Sequence, residues 1–181
     1  IEVNPKADIT FAKALRSILR QDPDIIVVGE IRDAETASMA LQASQTGHLV
    51  FATLHSSSNL ATLVRLMDLR VKPLLLSSAL SMIVSQRLVR KLCDNCKRPA
   101  DLTPQQIAEF KARGVSLSSV MTADGCKKCG GTGYFGRSAI MDVMPLDSKI
   151  KTILANDNLS PGDIKSKGDT HGRSALRREG M

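Results

Sequence analysis

The chain has 181 residues, 43% of them apolar, and Lys and Arg outnumber Asp and Glu by 25 to 18. This length suits one ordinary domain or two small ones with a packed core, and no run reaches the roughly 18 apolar residues that a membrane-spanning helix needs. The formal net charge of +7 suits phosphate, nucleic acid or an anionic membrane surface, and it is equally compatible with a solvated basic exterior.

The first part of the sequence predicts alternating helices and strands. Thr10 is suited to cap a helix over residues 11–21, and the turn-forming residues 22–24 end this helix. Two short apolar runs follow at residues 24–30 and 48–55, separated by a segment long enough for a crossover helix. Because both runs are rich in β-branched residues and lack polar alternation, they predict strands of a parallel sheet that are buried on both faces.

Two further helices are predicted after the second run. Residues 57–59 offer a cap for a helix over 60–69, and Pro73 begins another that extends to about residue 85. The order helix, strand, helix, strand, helix is typical of an α/β fold.

The composition changes at Cys93. Residues 93–133 are rich in Gly, Lys and Cys, and Thr103-Pro104 predicts the start of one helix within them. Residues 134–144 then alternate as in a strand, Asp147 begins a helical segment, and residues 160–161 predict the start of one more short helix.

The four cysteines form two C-x-x-C pairs, Cys93-Cys96 and Cys126-Cys129. Two such turns complete the four-thiolate tetrahedral set that zinc prefers, and a set with no open position indicates a structural metal. Neighbouring lysines favour the thiolate form: Lys91, Lys97, Lys127 and Lys128. Two disulfides are the alternative, although nothing in the sequence points to an oxidising compartment.

Residues 131–138 nearly fit the phosphate-binding pattern G-x-x-x-x-G-K-[ST], with Arg137 in the position of the lysine. A phosphate loop needs a strand before it and a helix after it. Here a cysteine pair precedes the glycines and a strand-like segment follows, so we reject this segment as a nucleotide site.

Each of the two apolar runs ends in a reactive polar residue, Glu30 after the first and His55 after the second. Ligands of open α/β sheets bind outside the carboxyl ends of the strands, so these residues are expected near each other, where phosphates would lie. Glu30 has the form of a Walker B acid that orients water or the Mg²⁺ shell, and Gly29 allows a ligand to approach the backbone. The alternative is a surface Glu paired with Arg32.

Besides Glu30 and His55, three more residues are candidates for this region. His55 can donate a hydrogen bond to a γ-phosphate, and His48 can help to position its loop. Arg16 and Arg20 are four residues apart on one helix face, where they either face phosphate or are solvated.

Several motifs in order resemble the ATPases that drive type II secretion and type IV pilus assembly. Residues 15–33 resemble their Walker B region and residues 46–55 their His box, followed by residues 86–90, the two cysteine pairs and residues 133–137. The cysteine set resembles the secretion and assembly branch, since the retraction motors generally lack it.

The resemblance implies a hexameric ATPase with a RecA-like P-loop core, which uses ATP and Mg²⁺ and carries structural Zn²⁺. By this resemblance Glu30 is the catalytic Walker B acid and His55 contacts the γ-phosphate. Gly29, Arg16, Arg20, Arg32 and His48 are then candidates for nucleotide binding or, for the arginines, the subunit interface. It also implies an enzyme on the cytoplasmic side of the inner membrane that works with a membrane platform protein and binds no nucleic acid.

The sequence departs from the family in one respect. The phosphate loop, the acidic Asp box and the N-terminal domain of the family lie upstream of the Walker B region, and the sequence contains none of them. Residues 1–5 show neither an initiator Met nor a signal-peptide pattern. We therefore expect an excised C-terminal fragment that neither binds ATP tightly nor hydrolyses it.

Three domains are predicted: an ATPase core segment at 1–92, a zinc subdomain at 93–133, and a truncated, mainly helical C-terminal subdomain at 134–181. Two alternatives remain. One is a zinc-stabilised module that binds nucleic acid or protein, since paired cysteine turns and positive charge suit both. The other is a coupling domain that docks a membrane platform protein through the zinc region.

Overall fold

The computed structural model of the chain describes residue 4, residues 9–156 and residue 162. The described residues divide into two compact units. The first comprises the residues up to Ser85 together with those from Val143 onward, and the second is Gln86–Asp142. The three predicted domain boundaries stay a prediction.

The first unit contains helices and a parallel strand pair in alternation. Its helices are α1 (Phe11–Ile18, continued by a 3₁₀ turn at Leu19–Gln21), α2 (Ala34–Gln45), α3 (Asn59–Asp68), α4 (Pro73–Ala79) and α6 (Ser148–Leu154). Its strands β1 (Ile25–Val28) and β2 (Leu49–Ala52) pair in parallel, with Ile25 opposite Leu49 and Val28 opposite Ala52. The predicted order of helices and strands is confirmed through α3.

Helix starts follow the capping residues of the sequence. The side chains of Thr10, Asp33, Ser58 and Asp147 each accept a hydrogen bond from the backbone N–H three residues later. Such caps satisfy N–H groups that have no partner within the helix, which is why short polar residues mark these starts. The helix predicted from Asp147 is thus confirmed, whereas the one predicted at residues 160–161 lies outside the described residues.

The core of the first unit lies between its helices and one face of the strand pair. Helix α1 packs on α2, α2 on α4 and α4 on α6. The core consists mainly of aliphatic side chains, which include Leu15, Ile26, Val28, Leu63, Leu66, Leu76 and Leu154.

The strand pair is not buried on both faces. Ile26 and Val28 are buried, but Ile25, Leu49 and Phe51 are exposed and Val27 has 74% of its surface accessible. Successive side chains of a strand point to opposite faces, so the helices cover one face and leave the other bare. The prediction of two buried faces is therefore wrong for the described residues.

The helix that begins at Pro73 is shorter than predicted. It ends at Ala79, where Leu80 takes extended backbone angles, and strand β3 (Met82–Leu92) follows. β3 pairs with β6 (Tyr134–Pro145), which confirms the strand predicted there. Pairing with a strand far along the chain overrides the helical preference of the short apolar run.

The second unit carries the cysteines. Strands β4 (Lys97–Pro99) and β5 (Met121–Ala123) pair antiparallel, and helix α5 (Pro104–Ala112) lies between them in sequence. Thr103 and Gln106 form a capping box at the start of α5, which confirms the predicted helix. Arg98 of β4 forms ion pairs with Asp124 at 2.7 Å and with Asp101 at 3.0 Å. These ion pairs hold the segments that follow β4 and β5 against strand β4.

Among the described residues, no helix is both long and apolar enough to cross a bilayer. Most of residues 157–181 lie outside the description, so a mainly helical C-terminal subdomain remains a prediction.

Two leucines of α4 provide a test of the core. Leu76 is 0% exposed and Leu74, two residues earlier, is 54% exposed. We expect Leu76→Ala to lower the free energy of unfolding by about 2–5 kcal/mol, because it leaves a cavity in a packed core. Leu74→Ala is the matched control and should cost less than about 1 kcal/mol. Urea unfolding followed by circular dichroism measures both, and equal losses would contradict the assigned core.

Candidate functional site

The structure brings Glu30 and His55 together at the carboxyl ends of β1 and β2. His55 Nε2 lies 3.3 Å from Glu30 Oε1. The segments that carry them are joined by backbone and side-chain bonds: Ile31 N–H donates to Thr53 O at 2.9 Å, and the Thr53 hydroxyl donates to the Gly29 carbonyl. The parallel register thus continues past the strands and fixes the two side chains side by side.

Arg32 is the third member of this cluster. Its Nε and Nη2 lie 2.7 Å and 2.6 Å from Glu30 Oε2. The hydrogen bond from Arg32 holds the pKa of Glu30 below its usual range, and the charges of Arg32 and His55 act in the same direction while partial burial opposes them. Glu30 therefore carries a negative charge at neutral pH, and His55 Nε2 faces its Oε1 at 3.3 Å.

Gly29 lies in open space beside this cluster. A Cβ atom added there would contact nothing within 4 Å. The fold itself does not require a glycine at this position, so the space beside Gly29 is free for a ligand to approach the backbone.

The structure places His48 away from the cluster. It precedes β2, so it lies at the amino end of the strand, about 13 Å along the chain direction from the carboxyl end. Its Nδ1 is 2.9 Å from Ala43 O and 3.1 Å from Thr46 Oγ1. These bonds anchor the connection between α2 and β2.

The two predicted arginines of the first helical segment also lie outside the Glu30 cluster. Arg16 forms an exposed ion pair with Glu35 in the first turn of α2, at 2.7 Å. Arg20 is exposed in the 3₁₀ turn after α1, and it forms no ion pair within the described part of the chain.

The four cysteine sulfurs form one cluster in the second unit. All four Sγ atoms lie within 4.8 Å of one another, and all four thiols are free, which argues against the two-disulfide alternative. Cys126 Sγ lies 3.9 Å from Cys93 Sγ and 3.8 Å from Cys129 Sγ. A zinc ion bound at about 2.3 Å by four tetrahedral thiolates places its sulfurs about 3.8 Å apart, so this cluster can hold a metal ion of that kind.

Hydrogen-bond donors around the cluster favour thiolates at two of the sulfurs. The bond from Asn95 Nδ2, 3.3 Å from Cys126 Sγ, and backbone N–H groups lower the pKa of Cys126 to about 6. The backbone N–H groups of Cys126 and Gly133 lower the pKa of Cys129, whereas burial raises the pKa of Cys96 to about 12. Asn95 was not among the predicted site residues, although its position between two cysteines of one turn indicates a candidate donor to a sulfur.

Local backbone shape explains why two distant pairs meet. The β4–β5 pairing begins directly after Cys96 and ends shortly before Cys126, so it brings the two turns together. Cys93 N–H also donates to Gly133 O at 2.9 Å. Gly125 has φ +93°, and a Cβ there would overlap the Gly131 carbonyl, so this turn requires glycine.

The glycine segment at residues 131–138 is not a phosphate loop. Strand β6 begins at Tyr134, where a phosphate loop would require a helix. The strand predicted after these glycines is thereby confirmed.

Comparison with known proteins identifies the family. Residues 1–181 match the family model described as Type II/IV secretion system protein. The chain belongs to this family. Type II secretion system protein E of Dickeya dadantii (strain 3937) is 44% identical to it over 99% of the chain and 35% of that protein. The type IV pilus assembly ATPase PilB of Thermus thermophilus is 44% identical over 99% of the chain and 20% of that protein.

Comparison with a solved structure supports the same fold. The pilus retraction motor PilT with bound ADP aligns at a TM-score of 0.58 and 28% identity, over 94% of this chain and 38% of that one. The α/β fold and the resemblance inferred from the motifs are thereby confirmed. This member of the type II/IV secretion family spans between a fifth and two fifths of the length of these three relatives.

Two glycines near the cysteines test the geometry of the cysteine cluster. We expect Gly125→Ala to abolish stable metal binding, because its Cβ would overlap the Gly131 carbonyl and open the second turn. Gly130→Ala is the matched control: its φ is also positive, at +62°, but its Cβ would meet open space. It should cost only about 1–2 kcal/mol of backbone strain.

Zinc content per chain by metal analysis should be about one for the parent chain and Gly130→Ala. Equal zinc content in both variants would contradict this account.

Proposed function

We propose that this chain is the C-terminal part of a hexameric ATPase that hydrolyses ATP to power type II protein secretion or type IV pilus assembly. The observation that carries the proposal is the meeting of Glu30 and His55 at the carboxyl ends of two parallel strands, 3.3 Å apart. Ligands of such sheets bind at this edge. Membership of the type II/IV secretion family supports the same reaction.

The residues present suit a nucleotide with Mg²⁺. Glu30 is an ionised acceptor that can orient the attacking water or interact with the water shell of the metal, as P-loop enzymes require. His55 has an exposed side chain that can donate a hydrogen bond, which suits contact with a γ-phosphate. Gly29 leaves room for the ligand, and Arg16 and Arg20 are candidates for the nucleotide or for a neighbouring subunit.

Two observations support the view that the chain is one part of a larger core. The sequence contains no G-x-x-x-x-G-K-[ST] motif, and one apolar face of the β1–β2 pair is exposed. Exposed contiguous apolar surface usually marks a contact with another element. On this proposal the 181-residue chain neither binds ATP tightly nor hydrolyses it.

The four cysteines are proposed to hold one structural Zn²⁺. Its bonds to the sulfurs would stabilise the two turns against each other, since four thiolates leave no position for substrate. The proposed partners are further copies of the parent protein and an inner-membrane platform protein, at the cytoplasmic face of the inner membrane.

A zinc-stabilised binding module is the second candidate, because cations lie over aromatic rings near the cysteines. The Arg90 guanidinium is 3.9 Å from the centre of the Tyr134 ring, and Lys128 Nζ is 5.7 Å from that of Phe135. Such pairs can bind nucleic acid or an acidic protein segment. This candidate leaves the Glu30–His55 cluster without a role, and salt-dependent binding of single-stranded DNA would favour it.

The ATPase proposal is tested by Glu30→Gln in the full-length parent protein. We expect kcat for ATP to fall by about 10²–10⁴-fold, because the amide keeps the shape of the side chain but loses the negative charge that orients the attacking water. Glu109→Gln, on the exposed face of α5, is the control and should leave kcat unchanged.

Two outcomes would contradict the proposal. Unchanged turnover in full-length Glu30→Gln would refute the catalytic assignment. Turnover by the 181-residue chain that Glu30→Gln abolishes would refute its proposed inactivity.

A further inference from the structure

Arg32 and His55 divide the two oxygens of Glu30 between them. Both Arg32 contacts, from Nε at 2.7 Å and from Nη2 at 2.6 Å, reach Oε2, and His55 Nε2 faces Oε1. The side chain of Arg32 is 71% exposed, whereas that of Glu30 is 18% exposed. The ion pair therefore joins a largely buried carboxylate to a largely exposed guanidinium.

This arrangement restricts the carboxylate of Glu30. The last torsion of a Glu side chain is intrinsically broad, so an unsupported carboxylate samples many orientations. Two donors of one planar guanidinium on a single oxygen remove that freedom and leave the other oxygen directed at His55.

We propose that Arg32 is a positioning residue for the reaction, which fixes the orientation and the charge of Glu30 and does not bind the nucleotide itself. The inference rests on the proposed ATPase function and deepens it. A catalytic group must be held close to its productive geometry, because small displacements of that group lower the rate of the reaction. Arg32 also keeps Glu30 ionised, since its hydrogen bond lowers the pKa of the carboxyl.

The experiment measures ATP hydrolysis by the full-length parent protein with Arg32→Ala and Arg32→Lys. We expect Arg32→Ala to lower kcat by about 10- to 100-fold while KM for ATP changes by less than about 3-fold, because orientation is lost but no nucleotide contact is. Arg113→Ala is the matched control, since Arg113 also forms an exposed ion pair, with Glu109, in the second unit. It should leave both parameters unchanged.

The pH profile separates positioning from a merely structural role. Glu30 must be ionised to act, and Arg32 lowers its pKa, so Arg32→Ala raises that pKa. As the pH falls, the variant loses activity sooner, and the acid limb of kcat moves to higher pH. Arg32→Lys keeps the charge without the planar fork, so we expect the acid limb near its original pH and only partial recovery of kcat.

A double variant completes the test. In a Glu30→Gln background, Arg32→Ala should cause no further loss of kcat, because the group that it positions has already been disabled.

Three results would overturn the inference: a rise in KM above about 10-fold with kcat unchanged, an unmoved acid limb in Arg32→Ala, or the same loss in both backgrounds. Full activity of Glu30→Gln alone would instead refute the proposed function, so the two failures are distinguishable. Arg32→Lys retains the test if Arg32→Ala proves unstable in thermal unfolding.

Discussion

β1 and β2 pair in parallel over four residues each, and the register of this pairing decides which side chains meet at the edge of the sheet. Bonds beyond the strands extend the register: Ile31 N–H to Thr53 O, and the Thr53 hydroxyl to the Gly29 carbonyl. Because side chains alternate along extended backbone, a slip by one residue would turn Glu30 away from His55. The geometry of the candidate site is thus a consequence of backbone pairing, and side-chain contacts refine it.

The cysteine cluster in the second unit also depends on a short strand pairing. A short antiparallel pair, β4 with β5, brings together two turns separated by α5. Backbone N–H groups and Asn95 then place donors on Cys126 and Cys129, which stabilises negative charge before a metal binds. In both units, a strand pairing of no more than four residues per strand brings together functional side chains that are distant in sequence.

The features that could be predicted are those that neighbouring residues decide. Thr10, Ser58, Thr103 and Asp147 cap helices because a side-chain oxygen satisfies a backbone N–H three residues away. The features that could not be predicted depend on distant parts of the chain. The apolar run at 73–85 reads equally as helix or strand, and its end at Ala79 is decided by the pairing of β3 with β6. The run at 24–30 likewise does not reveal that only Ile26 and Val28 are covered. For His48, the sequence does not show that its ring bonds to the Ala43 carbonyl.

The contacts of Glu30 also bear on how a carboxylate can act in phosphoryl transfer. A group whose pKa is held below its usual range by Arg32 is a weak base, so it is poorly suited to remove a proton fully from water. It remains a strong hydrogen-bond acceptor of fixed orientation. Phosphoryl transfer depends mainly on positioning and electrostatic stabilisation, with little need for an early proton transfer. On the proposed ATPase function, the geometry of Glu30, Arg32 and His55 therefore favours a carboxylate that orients the attacking water over one that deprotonates it.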